Sequence, residues 1–466
     1  MKIMDYLSRN YFGPLYNSWR GFGAINNWIS RWQEIATLSE EELCEYEQAR
    51  LSKILTCAYE TTDYYHKLFD EAGVSGELDN PDVLAKIPLL TKELIQANTE
   101  SMFNSTLARE DILRTMTGGS TGEPLIFYRD RETYCARWGL QAVANMALGW
   151  EPGEWYALVW GADQDLPQEY SARYRLLNFL VHRRIILNAG MLTDEQTIWF
   201  VKRLKERRPR IIYGYPAMLD LLATATQDNA LAVPSPDKII VTAEPLTLSA
   251  RQNIENVFRA PVLDRYASRE FGVVADQCEE SGFLKVVRGS VKIEILPVFP
   301  DDPSFGELVI TDLLNTGMPF IRYRTGDIGR LTSNGVAGKS GVYLSEIAGR
   351  TSDMIVSPNG RIISGTALTP SFFTVHPGIK QAQIRQEAPD RFRILVVRNL
   401  DEPFEDVENK ISTTLSEYCG APVKARVEIV DFIPRDKSGK FRFVISSVTP
   451  ELLHTTSDSP SEVAPK

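Results

Sequence analysis

The sequence IIYGYP at 211–216 is one of five short apolar runs that together determine the architecture we predict. The others are WYALVWG at 155–161, RIILNAG at 184–190, KIIVTAE at 238–244 and APVLDRYA at 260–267. Each run has the length of a strand and closes near a Gly, Pro or Asn. Stretches with helical spacing, such as DEQTIWFVKRLKERRP at 194–209, lie between them. Strands that alternate with helices predict an α/β arrangement with a mostly parallel sheet.

The pattern changes on either side of this region. The first hundred residues have helical character, and Ser39 followed by Glu42 forms a capping-box pattern before an acidic first turn. After the α/β region, the runs VKIEILPV, GELVITDL and FIRYRTGDIGRL follow one another with few intervening helices. We therefore expect an antiparallel β portion between residues 291 and 331.

A smaller unit follows Gly349 and Arg350. MIVSPNGRIIS at 354–364 predicts a hairpin with an Asn-Gly turn, and DVENKISTTLSEYCG at 406–420 predicts a helix that ends at its glycine. The fold class is therefore α/β, with a large N-terminal α/β domain of mixed sheets and an antiparallel β portion, plus a small α+β C-terminal domain. We expect the large domain at 1–349, the small domain at 350–448 and a disordered tail at 449–466.

Length and charge narrow the classes of function. The 466 residues allow about three domain-sized units, and a two-domain enzyme with one large domain fits equally well. Lys and Arg total 51 and Asp and Glu total 61, so the net charge is 51 − 61 = −10. An acidic chain is a poor fit to nucleic acid or an anionic membrane as the main partner. A small polyanion such as ATP stays possible, because backbone dipoles can hold phosphates locally.

The cysteines predict a reducing compartment. There are five, widely spaced and without a C-x-x-C pair, so we expect no disulfide framework and a cytoplasmic location. The N-terminus lacks an apolar core of signal-peptide length. The longest mostly apolar stretch, 138–150, is shorter than the ~18 to 20 residues that span a bilayer. We therefore expect a soluble protein without membrane insertion.

TMTGGSTGEP at 115–124 is the segment with the clearest chemistry. Its glycines let backbone N–H groups turn towards a ligand, and its hydroxyls add donors without bulk, which suits a polyphosphate. The structural alternative is an ordinary glycine-rich hairpin turn. A Walker A motif is absent, because the near miss at Gly338-Lys339-Ser340 has Ser333 in the first glycine position.

The segment Gly118-x-Ser120-x-Gly122 also fits the nucleophile-elbow pattern of hydrolases. That elbow requires a helix directly after the serine, whereas Pro124 and the strand-like PLIFYRD disfavour a helix. We therefore predict strand, loop and strand here. A Ser120 hydrolase remains a third hypothesis, which labelling by a fluorophosphonate would test.

Four further segments are weak individually. They are YASREFG at 266–272, YRTGD at 323–327, IAGRTSD at 347–353 and PRDKSGKFR at 434–442. A carboxylate at the end of a strand, such as Glu270, suits Mg²⁺ on a nucleotide. A loop carboxylate such as Asp327 suits the two hydroxyls of a ribose. The last segment, taken alone, is typical of a solvated basic turn.

Taken in this order, the five segments resemble those of the adenylate-forming superfamily of acyl-CoA synthetases, adenylation domains and luciferases. The closer resemblance is to the phenylacetate–CoA ligase-like branch, including capsular-polysaccharide-type proteins. IPLLTKELIQ, YGYPAMLDLLA, YASREFGVVADQC, GMPFIRYRTGDIGRL and IPRDKSGKFR all resemble segments of that branch. The similarity extends from Asp63 to Val444, which is most of the chain.

The resemblance implies an ATP-dependent ligase. A small carboxylic acid attacks the α-phosphate of Mg-ATP to give acyl-AMP and pyrophosphate, and an acceptor, most often the thiol of CoA, then takes the acyl group. The resemblance assigns catalysis to Lys440 and Glu270, with Glu270 also holding Mg²⁺. The implied nucleotide-binding residues are Thr117, Gly118, Gly119, Ser120, Thr121, Gly122, Ala243, Glu244, Pro245, Tyr266, Ser268, Asp327 and Arg350. The small domain would act as a mobile lid that pivots near Ser352 or Asp353.

Three departures from the family pattern motivate a second hypothesis. Glu123 stands where relatives commonly have Lys, Arg269 precedes Glu270 and could pair with it, and Ser352 stands at the usual hinge position. The chain could then be a nucleotide-binding protein with degenerate catalysis.

Within the ligase hypothesis, an amine acceptor in polysaccharide or secondary-metabolite biosynthesis is the alternative to CoA. We expect no zinc, because Cys278 is followed by no Cys or His from 281 to 345. Either a monomer or a homodimer is compatible.

Overall fold

A computed structural model of the chain describes residues 2–117, 125–160, 171–189, 192–279, 281–299, 302–334, 340–350, 354–360, 362–364, 376, 378–400, 402–434 and 442–448. Within these ranges the helices are α1 (Lys2–Leu7), α2 (Gly13–Trp19), α3 (Ile25–Ile35), α4 (Glu40–Thr61), α5 (Asp63–Glu71), α6 (Lys92–Asn98), α7 (Arg131–Ala147), α8 (Ala172–Leu177), α9 (Asp194–Arg207), α10 (Pro216–Asp228), α11 (Leu248–Phe258) and α12 (Val407–Cys419). None of the helices in the described ranges combines the length and apolar character that crossing a membrane requires.

The strands fall into one large sheet and three small ones within the described ranges. They are β1 (Ile112–Met116), β2 (Ile126–Asp130), β3 (Tyr156–Trp160), β4 (Arg184–Asn188), β5 (Ile211–Gly214), β6 (Lys238–Thr242), β7 (Val262–Ser268), β8 (Gly272–Gln277), β9 (Leu284–Val286), β10 (Val291–Phe299), β11 (Asp302–Asp312), β12 (Tyr323–Asn334), β13 (Ser340–Arg350), β14 (Met354–Val356), β15 (Ile362–Ser364), β16 (Ile379–Ala388), β17 (Arg391–Arg398), β18 (Lys424–Ile429) and β19 (Val444–Ser446).

The large sheet has the order β10-β11-β12-β13-β9-β8-β7-β6-β5-β3-β4. The five predicted apolar runs form β3 to β7, which pair in parallel as expected. Their nearly continuous apolar sequences suit strands that are covered on both faces. Helices α9, α10 and α11 connect these strands and bury apolar side chains such as Phe200, Leu219 and Ile254 against them.

The antiparallel portion is also confirmed, but it is not a separate sheet. Strands β10 to β13 pair antiparallel and continue the parallel strands through β9 and β8. Strands β1 and β2 form an antiparallel hairpin that encloses residues 117–125. The two predicted strands on either side of the glycine-rich segment are therefore present, whereas residues 118–124, which include Ser120, lie outside the described residues.

The C-terminal unit has its own sheet, in the order β18-β17-β16-β19, and its own core. Helix α12 places Ile411 and Leu415, both fully buried, in that core. Gly420 ends the helix in the left-handed conformation, as its sequence predicted. The hairpin β14–β15 forms at the predicted Asn-Gly turn. The exact domain boundaries remain a prediction, and the tail 449–466 lies outside the described residues.

The N-terminal helix is a single helical segment, residues 2–19, in which a π-helical turn at Ser8–Phe12 joins α1 to α2. Asp5 forms an ion pair with the buried Arg183, and Arg9 donates to the carbonyl of Pro152 over 2.8 Å. Gly153 permits this contact, because a Cβ there would lie 2.5 Å from the carbonyl oxygen of Asp5. The helix is therefore docked on the body of the large domain through specific polar contacts.

We expect this docking to weaken in acid. The ring of His182 contacts Tyr16 of α2 edge-on at 5.5 Å. Burial, reinforced by the charges of Arg184 and Arg20, lowers the pKa of His182 to about 4. In the unfolded chain the imidazole has a pKa of about 6.5, so on acidification it takes up a proton before the folded His182 does. The stability that neutral His182 contributes is therefore complete above pH ~6.5 and is lost as the pH falls towards 4. Hydrogen exchange of the α2 amides, corrected for intrinsic rates, measures this loss. An unchanged pH dependence in His182→Gln would contradict it.

Candidate functional site

Three predicted site residues come together beside the end of β7. The hydroxyl of Tyr266 donates to the Oδ2 of Asp327 over 2.7 Å, and the Nε of Arg350 lies 3.3 Å from Oδ1 of the same carboxylate. Burial, followed by the charge of Asp327, raises the pKa of Tyr266 well above its ordinary value, so this phenol keeps its proton and donates. The carboxylate of Asp327 is 18% exposed, which leaves it reachable by a ligand.

A bulge in β12 directs Asp327 to this position. Between the pairs Glu307–Ile328 and Val309–Arg324, β12 contains more residues than β11, so its register shifts. Gly326 takes a φ of 74°, which a side chain disfavours, and the backbone N–H of Asp327 donates to the Thr325 hydroxyl over 3.0 Å. The YRTGD segment is therefore a shaped turn at a strand bulge.

Glu307 anchors this turn from the neighbouring strand, and the sequence analysis did not single it out. Its carboxylate accepts from the Nη2 and Nε of Arg324 over 2.6 and 3.0 Å and from the backbone N–H of Gly326 over 3.1 Å. The side chain of Glu307 is only 2% exposed. A buried carboxylate with three donors from one turn fixes that turn, so Glu307 is a positioning residue for Asp327.

The hairpin β1–β2, whose strands flank the glycine-rich segment in sequence, lies against the turn after β7. Its base is closed at Thr117, whose N–H donates to the Leu125 carbonyl over 2.9 Å and whose hydroxyl accepts from the Leu125 N–H over 3.0 Å. Arg269, from the turn after β7, donates to the carbonyl of Met116 over 2.9 Å. This arginine therefore ties the hairpin to the turn that carries Glu270.

Glu270 lies where its charge acts on both the hairpin and the YRTGD turn. Burial and then the charge of Glu270 raise the pKa of Tyr323. The charge of Glu270 also tends to raise the pKa of Arg129 in β2. Burial and then the charge of Arg137 outweigh this effect and lower that pKa to about 10. Among the described residues, no three His, Cys, Asp or Glu side chains form a metal-binding group.

The remaining predicted residues follow neighbouring strand ends. Ala243, Glu244 and Pro245 lie directly after β6, one residue beyond the pairing of Thr242 with Arg265. Ala243 has a φ of 72°, a strained conformation for a residue with a side chain. The hydroxyl of Ser268 at the end of β7 accepts from the Phe271 N–H over 3.1 Å. These residues thus occupy the carboxyl edge of the parallel sheet, where α/β proteins bind ligands.

An aromatic cluster lines the next strand ends along the same edge. The ring of Trp160 stacks on Tyr213 at 5.7 Å and lies 4.3 Å from Tyr215. Beneath it, Arg265 is fully buried and holds Asp276 through Nη2 at 2.9 Å, with Asn145 accepting from Nη1. This buried ion pair carried no sequence signal.

Several predicted residues lie outside the described ranges. They are Gly118, Gly119, Ser120, Thr121, Gly122 and Lys440, together with the departures Glu123 and Ser352. Their roles stay predictions.

The similarity to known proteins covers most of the chain. A family model for the CapK C-terminal domain matches residues 355–447. Protein CapK of Staphylococcus aureus is 23% identical over 90% of this chain and 92% of its own length. Phenylacetate-coenzyme A ligase of Thermus thermophilus is 23% identical over 88% of this chain and 98% of its own length.

Solved structures share the fold. A 2-hydroxyisobutyryl-CoA ligase in the postadenylation state, in complex with R3-HIB-AMP, superposes with a TM-score of 0.69 at 18% identity. The similarity covers 90% of this chain and 92% of that one. An open conformation of the ligase with 2-HIB-AMP and CoA has a TM-score of 0.54 at 19% identity, over 85% and 90% of the two chains.

Proposed function

We propose that this chain activates a carboxylic acid with ATP and passes the acyl group to CoA. The proposal is supported by its homology to CapK and to the phenylacetate-coenzyme A ligases and by its fold, which is that of adenylate-forming CoA ligases. The observation that carries this proposal is the cluster of Tyr266, Asp327 and Arg350 near the hairpin whose strands flank the glycine-rich segment in sequence. A carboxylate with flanking donors suits a ribose, and a loop rich in Gly, Ser and Thr suits the attached phosphates.

The first half-reaction joins the acid to AMP. An oxygen of the substrate carboxylate attacks the α-phosphorus of ATP, and the bond to the pyrophosphate oxygen breaks. Charge builds on the α-phosphate oxygens in that transition state, and the ammonium of Lys440 would stabilise it. In the second half-reaction the thiol sulfur of CoA attacks the acyl carbonyl carbon, AMP leaves, and the thiol proton is released. Withdrawal of Lys440 with the small domain would open the site for the acceptor.

The nucleotide would be held by residues from three neighbouring segments. Asp327 would accept from the ribose hydroxyls, with its carboxylate oriented by the Tyr266 hydroxyl and by Arg350. Ala243, Glu244 and Pro245 would border the adenine, opposite Tyr266. The loop Thr117–Gly122 would donate backbone and hydroxyl hydrogen bonds to the phosphates.

A single carboxylate at Glu270 fits magnesium in a nucleotide site. Mg²⁺ usually keeps several waters and is held by one or two carboxylates together with substrate phosphates. When bound, the ion would neutralise charge on the phosphates of ATP. Glu270 would hold it, while Arg269 keeps the turn of Glu270 fixed to the hairpin through the Met116 carbonyl.

ATP–pyrophosphate exchange with a panel of aryl, fatty, hydroxy and amino acids tests the proposal. We expect exchange that depends on Mg²⁺ and on one class of acid, without any acceptor. Adding CoA or an amine to the active acid then identifies the acceptor by the product formed. Measurable ATP binding without exchange for any acid would contradict the proposal and would favour the degenerate nucleotide-binding protein.

Tyr266→Phe tests the cluster around Asp327. The substitution keeps the ring and removes the hydroxyl that donates to the carboxylate. A hydrogen bond to a charged group contributes about 1.5 kcal/mol at the low end, so we expect the KM for ATP in the exchange assay to rise roughly tenfold. The exchange rate at saturating ATP should change much less. An unchanged KM would show that the orientation of Asp327 does not depend on Tyr266.

A further inference from the structure

The N-terminal helix exposes its apolar residues instead of burying them. Ile3, Tyr6, Tyr11, Leu15 and Trp19 are each between 57 and 76% exposed. Among the described residues they make up a third of the exposed large apolar side chains, although the helix comprises only residues 2–19. A single exposed apolar residue is ordinary on a protein surface, but a continuous row is not.

The π-helical turn aligns these residues into one stripe. An α-helix returns to the same face after about seven residues, whereas Ile3 and Tyr11 are eight apart. The i→i+5 bonding of the π-turn at Ser8–Phe12 adds about one residue to that stretch, so the step from Ile3 to Tyr11 completes two turns. Leu15 and Trp19 then follow at intervals of four, a spacing at which side chains on a helix are neighbours, so the row continues along the helix with a gradual drift around it.

The helix is docked by its other face, so the stripe points away from the protein. Asp5 and Arg9 attach it to Arg183 and Pro152, and Ser8 is buried. The Tyr16 ring rests against His182. The helix therefore does not need the stripe for its own attachment.

Three exposed arginines lie on segments next to the N-terminal helix in the fold, although the whole chain carries a net charge of −10. Arg20 follows the helix, and Arg173 and Arg175 are exposed on α8, which leads into the turn that contacts α2. Among the described residues these three arginines form no ion pair, whereas Asp5 and Glu151 are each paired with an arginine. Leu176, which follows Arg175 in α8, is also exposed.

We propose that this stripe, together with Arg20, Arg173 and Arg175, docks the enzyme on an anionic lipid surface. A row of apolar side chains that includes Tyr and Trp, bordered by arginines, matches the composition of helices that lie in the headgroup region without spanning the bilayer. Lipid phosphates would supply negatively charged partners for the three arginines. A symmetric contact with a second copy would instead bring the same arginines to both sides of the interface.

Sedimentation with vesicles tests this proposal on the full chain. We expect the protein to co-sediment with vesicles of equimolar phosphatidylcholine and phosphatidylglycerol, and more weakly as salt is raised or with phosphatidylcholine alone. The variant Leu15→Glu/Trp19→Glu should bind at least tenfold more weakly. Leu400→Glu is the matched control, because Leu400 is 84% exposed and far along the chain in the C-terminal unit.

Each other outcome overturns the proposal. Absence of vesicle binding by the wild-type protein removes it, as does equal binding by the double variant. If the wild-type protein is a dimer that the double variant converts to a monomer, and neither binds vesicles, the stripe is an interface between two copies. The test does not depend on the ligase activity, so the two proposals can fail separately.

Discussion

Lys440→Ala should lower the rate of ATP–pyrophosphate exchange by roughly 10²–10³ while leaving ATP binding nearly unchanged. We propose that the Lys440 ammonium stabilises charge that develops on the α-phosphate only in the transition state. Removing one preorganised donor of that kind typically costs ~3–4 kcal/mol. Exchange kinetics measure the rate, and equilibrium titration with a non-hydrolysable ATP analogue measures the binding.

The same variant should keep the second half-reaction. If the small domain withdraws Lys440 before the acceptor enters, transfer of the acyl group from synthetic acyl-AMP to CoA should proceed at close to the wild-type rate. Lys437→Ala, three residues earlier in the same segment, is the matched control and should retain both half-reactions. Exchange at the wild-type rate in Lys440→Ala would show that the assigned mechanism is wrong.

Glu307→Gln should destabilise the large domain and weaken ATP binding together. The substitution removes the negative charge that Arg324 pairs with and weakens the anchoring of Gly326. Breaking a buried ion pair costs about 3–5 kcal/mol. We expect the lower end, about 3 kcal/mol, because the Arg324 side chain is 20% exposed and can be rehydrated in part. Since the turn carries Asp327, the KM for ATP should rise in the same variant.

Glu346→Gln provides the control for Glu307. Glu346 faces Arg330 on the adjacent strand pair at 3.9 Å, but its side chain is 49% exposed. An exposed pair contributes at most ~1 kcal/mol, so this variant should unfold in urea almost as the wild-type protein does. Equal unfolding midpoints for the two variants would refute the anchoring role of Glu307.

Local patterns were sufficient to predict most of the elements. The run KIIVTAE became the buried β6, and the pair Ser39 and Glu42 forms the predicted capping box at the start of α4. The Asn-Gly turn and the helix stop at Gly420 were likewise predicted from residues close in sequence. These features depend on interactions within a few residues, which a single sequence displays directly.

Features that depend on distant residues could not be predicted in this way. The pairing of Glu307 with Arg324 spans 17 residues, and it follows from the register of β11 and β12 rather than from any motif. The contact of Arg269 with Met116 spans 153 residues. The sequence suggested a pairing of Arg269 with the adjacent Glu270, which stays a prediction, but it gave no sign of the contact with Met116. In the same way, sequence alone did not show that the parallel and antiparallel strands share one sheet.

The fate of the carboxylate oxygens tests the central claim most directly. When an oxygen-labelled acid is converted to its thioester in one turnover, attack on the α-phosphate must leave one labelled oxygen in AMP and none in pyrophosphate. Mass spectrometry of the two products shows where the label lies. The proposed mechanism predicts label in AMP alone. Label in a phosphate or pyrophosphate product, or AMP without label, would contradict activation through acyl-AMP.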